Sequence, residues 1–141
     1  MSKMTPYSRH YLFKKDFQIV KKSMQSDHLT NGSYLINFEN KFKKFVGSKY
    51  SVACSNGTAA LHLSVLTLGL KKNDLVIVPS ITFVATYNAV VMAGAQPIIS
   101  DVDSETGLIN LKQVEGLIKK YGQRIKAIIV VHLNGNVSKV C

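Results

Sequence analysis

The chain has 141 residues, 46% of them hydrophobic, which is one domain's worth of sequence and enough to bury about two-thirds of the surface its unfolded form exposes. Sixteen lysines and two arginines against eight acids give a formal charge of +10, but the lysines fall in pairs along separate elements and arginine is scarce, which argues against a dedicated nucleic-acid binder. The opening MSKMTPYSRHYLF holds no apolar signal core, no run reaches membrane length, and Cys54 and Cys141 lack metal or disulfide spacing, so a soluble cytoplasmic protein without membrane partner or metal is expected.

Past an extended arm containing Pro6, residues Phe13, Phe17, Val20 and Met24 recur at helical spacing and predict an amphipathic helix ending near Asp27. The polar stretch 28–33 reads as a surface linker. Leu35, Phe38, Phe42, Phe45 and Val46 predict a second helix, which Gly47 closes. Residues 1–33 therefore form an arm, helix and linker, and 34–141 a larger α/β unit.

Residues 51–70, SVACSNGTAALHLSVLTLGL, organise that unit. They predict a short buried strand over 51–54, a small-residue turn, and a helix running to Gly69, apolar nearly all round and buried on both sides. The turn is polar, and its free N–H groups, helix dipole and glycine favour an anion, above all a phosphate. The same residues also serve simply as helix caps, so the turn alone does not decide.

The unbroken apolar run 75–78 predicts a strand covered on both faces. Ser80 or Thr82 then caps a third helix carrying Phe83, Tyr87, Val90 and Val91 to Gly94. A short strand at 97–99 leaves through Asp101 and Asp103. Asn110, with Gln113 three residues on, marks a capping box for a helix ended by Gly122. Residues 127–131 form the most apolar strand. This rhythm predicts an α/β fold, a mostly parallel sheet with helices on both faces and right-handed crossovers. A sheet whose most hydrophobic strand comes last needs a further crossover to cover it, so a truncated domain is expected.

His62 and His132 sit in apolar surroundings and read as satisfied structural histidines rather than catalytic ones. Asp101 and Asp103 lack a clustered third ligand and read as loop residues.

Taken together, SNGTAALHLSVLTLGL, VPSITFVATYNAVVMAGAQPI, DVDSETGLIN and KAIIVVHLNGN resemble, in order and spacing, the N-terminal part of the large domain of the DegT/DnrJ/EryC1/StrS family. These are pyridoxal-phosphate-dependent sugar aminotransferases of fold type I. The resemblance implies that the amides of Gly57 and Thr58, with the Thr58 hydroxyl, hold the phosphate of pyridoxal 5′-phosphate. Asn56 stands where the family often has serine. Phe83 occupies the family's aromatic position and would stack on the pyridine ring. The SD-x-LT-x-G pattern in SDHLTNGSYLINFE resembles the branch that aminates UDP-linked 4-keto sugars on the route to pseudaminic acid.

The resemblance further implies a homodimer that moves an amino group from glutamate or a similar donor to a keto sugar carried on UDP or dTDP, in cell-surface glycan synthesis. Its Schiff-base lysine and pyridine-facing carboxylate would lie after Cys141, so no catalytic residue is assigned within the chain, and the 141 residues alone are expected to be inactive. Two alternatives stand beside it. One is a sugar dehydratase of the same fold, with histidine in place of that lysine; the other is a non-enzymatic module that binds a phosphate or nucleotide at the Gly57 turn.

Overall fold

A computed structural model describes Met4, Pro6 and residues 8–138. Cys141 and the rest of the opening segment lie outside the described residues. The chain divides into two compact units, Met1–Ala53 and Cys54–Cys141.

The first unit holds two helices, α1 (Lys14–Met24) and α2 (Ser33–Val46). The Asp16 carboxylate accepts the Phe13 N–H at 2.8 Å, satisfying one of the donors that a helix start leaves free. Gly47 ends α2 in the left-handed conformation at φ +70°, as its position predicts. Both helices carry the expected apolar stripes, yet neither buries a residue.

The second unit is built on a three-stranded parallel sheet in the order β2-β1-β3: β1 (Leu75–Pro79) is central, β2 (Gln96–Ser100) lies on one side and β3 (Ile125–Ile128) on the other. All of β1 is buried, as its unbroken apolar run predicts. Its alternate side chains face opposite layers. Val76 and Val78 pack with Val90 of α4 (Ala85–Met92) and with Ala95. Ile77 packs with Ile109 and with Val114 of α5 (Leu111–Tyr121). Helices on both faces follow, as expected. The β1–β3 register slips by one residue, Leu75 opposing Ile125 and Val76 opposing Ala127, which leaves Lys126 as the extra residue.

Asn110 caps α5 as predicted, its Oδ1 accepting from Lys112 and Gln113 N–H at 3.0 and 3.3 Å. The reciprocal half of a capping box is absent because the Asn110 N–H donates to the Asp101 carbonyl at 3.0 Å instead. Gly122 closes α5 at φ +56°.

Four expectations need correction. Residues 51–54 form no strand, because small and β-branched residues become a strand only where a partner ladder exists, and none of the described strands pairs with them. The helix after the turn, α3 (Gly57–Leu66), stops three residues short of Gly69 and buries only Val65. Its apolar circumference is a demand for cover, and its principal packing partner is α4 alone; Leu63 and Leu66 remain about half exposed. Neither Ser80 nor Thr82 caps α4, which begins at Ala85 with Val84 in the cap position. Finally, the last strand is β3, starting two residues earlier than expected and ending at Ile128, its side chains alternating between half-buried and exposed.

Candidate functional site

The turn before α3 is organised by one side chain. Asn56, in extended backbone at φ −167° and ψ 173°, turns its Oδ1 to the Ala59 N–H at 2.9 Å, and its carbonyl takes the Ala60 N–H at 3.1 Å. Its amide nitrogen donates to Ser55 Oγ at 3.3 Å. Those bonds account for the third and fourth amides of the helix start. The first two, at Gly57 and Thr58, have no acceptor among the described residues. They are the donors that a helix presents to an anion, at the positive end of its dipole.

Gly57 keeps the space in front of them open. A Cβ built there would meet nothing within 4 Å, so glycine is not required by packing. An open approach to two free amides, with the Thr58 side chain half-buried beside them, fits a phosphate group. Cys54 is exposed nearby, its thiol donating to the Asn56 carbonyl at 3.4 Å.

Phe83 lies two residues before α4, in irregular backbone rather than in the helix, and is 74% exposed. It is not the core residue that a phenylalanine at a helix start often is. The helix it precedes packs on α3, whose first turn carries Asn56, Gly57 and Thr58.

The two histidines divide. His132 accepts the Ser138 N–H on its Nδ1 at 3.1 Å, a satisfied structural histidine as expected. His62 is the reverse: its Nε2 is buried without a partner among the described residues. Its position inside an apolar helix gave no signal of that, because whether a ring nitrogen is satisfied depends on distant chain. Asp101 and Asp103 hold loop geometry. Asp101 Oδ1 accepts from Val102 N–H at 2.9 Å and Ser80 Oγ at 3.2 Å. Asp103 Oδ1 accepts from the Thr106 N–H and hydroxyl, both at 2.9 Å, and from the Glu105 N–H. The Thr106 N–H first, then its hydroxyl, hold the Asp103 carboxyl below its ordinary value of 3.8.

A cleft of about 440 Å³ lies away from the turn, between the loop from Asp103 to Leu111 and the residues Asn136 to Ser138. No local sequence pattern marks it, because its two walls are far apart along the chain. No group of three metal-binding side chains exists among the described residues, and no helix there is long and apolar enough to cross a membrane.

The sequence profile of the DegT/DnrJ/EryC1/StrS aminotransferase family matches residues 11–140. The GDP-perosamine synthase of Escherichia coli O157:H7 is 38% identical over 135 residues, which cover 95% of this chain and 36% of that protein. Among solved structures, Helicobacter pylori PseC, an aminotransferase involved in the biosynthesis of pseudoaminic acid, superposes with a TM-score of 0.87 at 28% identity, over 97% of this chain and 36% of its own. A Streptococcus pneumoniae protein classed as a sugar aminotransferase, solved in apo, PMP and PLP forms, gives a TM-score of 0.87 at 26% identity, over 96% of this chain and 33% of its own in the apo form. The chain thus spans about a third of the length of these relatives.

Proposed function

Because the chain belongs to the DegT/DnrJ/EryC1/StrS aminotransferase family, we propose that it forms part of the cofactor cup of an aminotransferase acting on a nucleotide-activated keto sugar. Pyridoxal 5′-phosphate is the cofactor of this family, and when bound it supplies the electron sink and amino carrier for transamination. The observation that carries the reading is the pair of unengaged amides at Gly57 and Thr58, left free by the Asn56 cap and approached through open space.

In this reading each residue has its own task. Gly57 and Thr58 hold the phosphate through backbone N–H groups, with the Thr58 hydroxyl as a third donor. Asn56 fixes the turn that presents them. Phe83 offers an apolar face to the pyridine ring and excludes water from it. None of the sixteen lysines stands in a Ser-x-His-x-x-Lys context, so the polypeptide of residues 1–141 should bind without turning over. The whole protein would take its amino group from glutamate or a similar donor, act as a homodimer, and serve glycan synthesis. Similarity to both a GDP-perosamine synthase and PseC supports a nucleotide-linked keto sugar as the substrate class.

Titration of the 1–141 polypeptide with pyridoxamine 5′-phosphate, followed by the ligand's own fluorescence, tests this. That form has no aldehyde to react with the sixteen lysines. Saturable binding that inorganic phosphate displaces and Gly57→Val abolishes is the expected result. Binding of uridine monophosphate with no response to pyridoxamine phosphate would replace the reading with a plain nucleotide module.

A further inference from the structure

The start of α4 lacks an ordinary cap. Val84 stands in the cap position and has no side-chain acceptor to offer. The turn is closed instead by two hydroxyls: Thr82 Oγ1 and Thr86 Oγ1 lie 2.8 Å apart. The Thr86 N–H also donates to the Phe83 carbonyl at 3.0 Å. Thr86 is 4% exposed, in one buried row with Ala85, Ala89 and Val90.

The choice of partner is informative. A threonine inside a helix usually returns its hydroxyl to the carbonyl four residues back. Four residues before Thr86 stands Thr82, and the bond goes to its hydroxyl. The tie therefore spans the segment from side chain to side chain, with Phe83, Val84 and Ala85 between its ends. An exposed phenylalanine is unremarkable by itself. One whose flanks are tied to a buried row is denied the freedom to fold back onto apolar surface, so its ring is held out at 74% exposure.

We infer that Thr86, through its hydroxyl bond to Thr82, is a positioning residue that holds Phe83 in place to stack on an aromatic ring. This rests on the cofactor reading above. Thr86 itself touches neither phosphate nor ring; it acts only by fixing the backbone from which Phe83 projects.

The test is a comparison of two ligands on the 1–141 polypeptide. Pyridoxamine 5′-phosphate engages both phosphate turn and ring wall, whereas inorganic phosphate, read as its inhibition constant, engages the turn alone. Removing the tie by Thr86→Val, or from its less buried end by Thr82→Val, is expected to weaken pyridoxamine phosphate by roughly three- to tenfold, the weight of one buried hydrogen bond. Inorganic phosphate should be unaffected, and Thr86→Ser should restore affinity. In a Phe83→Ala background Thr86→Val should have no further effect.

Equal loss for both ligands, or the same loss with and without Phe83, would make Thr86 a merely structural residue. No loss in either valine variant, while Phe83→Ala weakens binding, would overturn the inference and leave the cofactor reading standing. A wild-type chain that binds pyridoxamine phosphate no better than inorganic phosphate would remove both.

Discussion

Asn56 shows how one residue separates stability from chemistry. Its Oδ1 is committed to the Ala59 N–H, so the side chain serves the helix and leaves the two preceding donors open for the proposed phosphate. Asn56→Ala should lose about 1 kcal/mol in urea unfolding, the usual weight of a cap. Asn56→Asp keeps the acceptor and adds a charge favourable to the helix start, so stability should stay within about 0.5 kcal/mol. The same charge stands beside the proposed phosphate position, and pyridoxamine phosphate should weaken by roughly tenfold. An aspartate variant that binds as well as the parent would show that no phosphate sits there. The histidines mark the limit of reading single residues. His62 and His132 look alike in sequence, but among the described residues only His132 finds a partner, the N–H of Ser138, through a loop that no local pattern encodes.

At the scale of elements, legibility follows how local each cause is. Gly47 and Gly122 end helices because a residue with positive φ is needed at those points, and Asn110 starts one because its side chain reaches two amides. These are contacts within a few residues, and the sequence states them. β1 is legible for another reason: four apolar residues without alternation, stopped by Pro79, suit a strand covered on both sides. The strand expected at residues 51–54 failed because ladder partners come from elsewhere. The start of α4 departs from the expected cap for a chemical reason. Thr82 has the hydroxyl of a cap but spends it on Thr86 rather than on backbone. The layering itself predicts where mutation is costly. Ile77 is fully buried between sheet and α5, so Ile77→Ala should cost about 2–5 kcal/mol in chemical denaturation. Ile99 on the neighbouring strand is 57% exposed, and Ile99→Ala should cost under about 1 kcal/mol. Equal losses would mean that β2 is covered on its outer face in solution.

For the whole molecule, the core is confined to one of the two units. β1 is buried throughout, whereas Phe17 of α1 is 62% exposed and Phe45 of α2 is 88% exposed. Amide exchange should therefore be graded. Residues 76–78 should exchange slowest, through opening of the whole sheet, and the amides of α1 should exchange at rates near those of an isolated helix. Comparable protection in both places, growing with protein concentration, would show that a second copy covers the first unit. The candidate site is confined in the same sense. The proposed phosphate turn and the threonine-tied phenylalanine both belong to the second unit, so in this reading cofactor binding should not depend on order in α1.

The outer strands of the sheet have a consequence for how the protein behaves in a crowded cell. Among the described residues β2 and β3 are the outer strands, each with a flank to which another extended chain could add, and Ile99 and Ile128 on them are exposed. Each strand also carries a residue that spoils it as a template. Pro97 has no N–H to donate, and Lys126 sits as a charged bulge that breaks the register. The sheet can thus remain sticky enough to accept a correct neighbour while resisting open-ended growth with copies of itself.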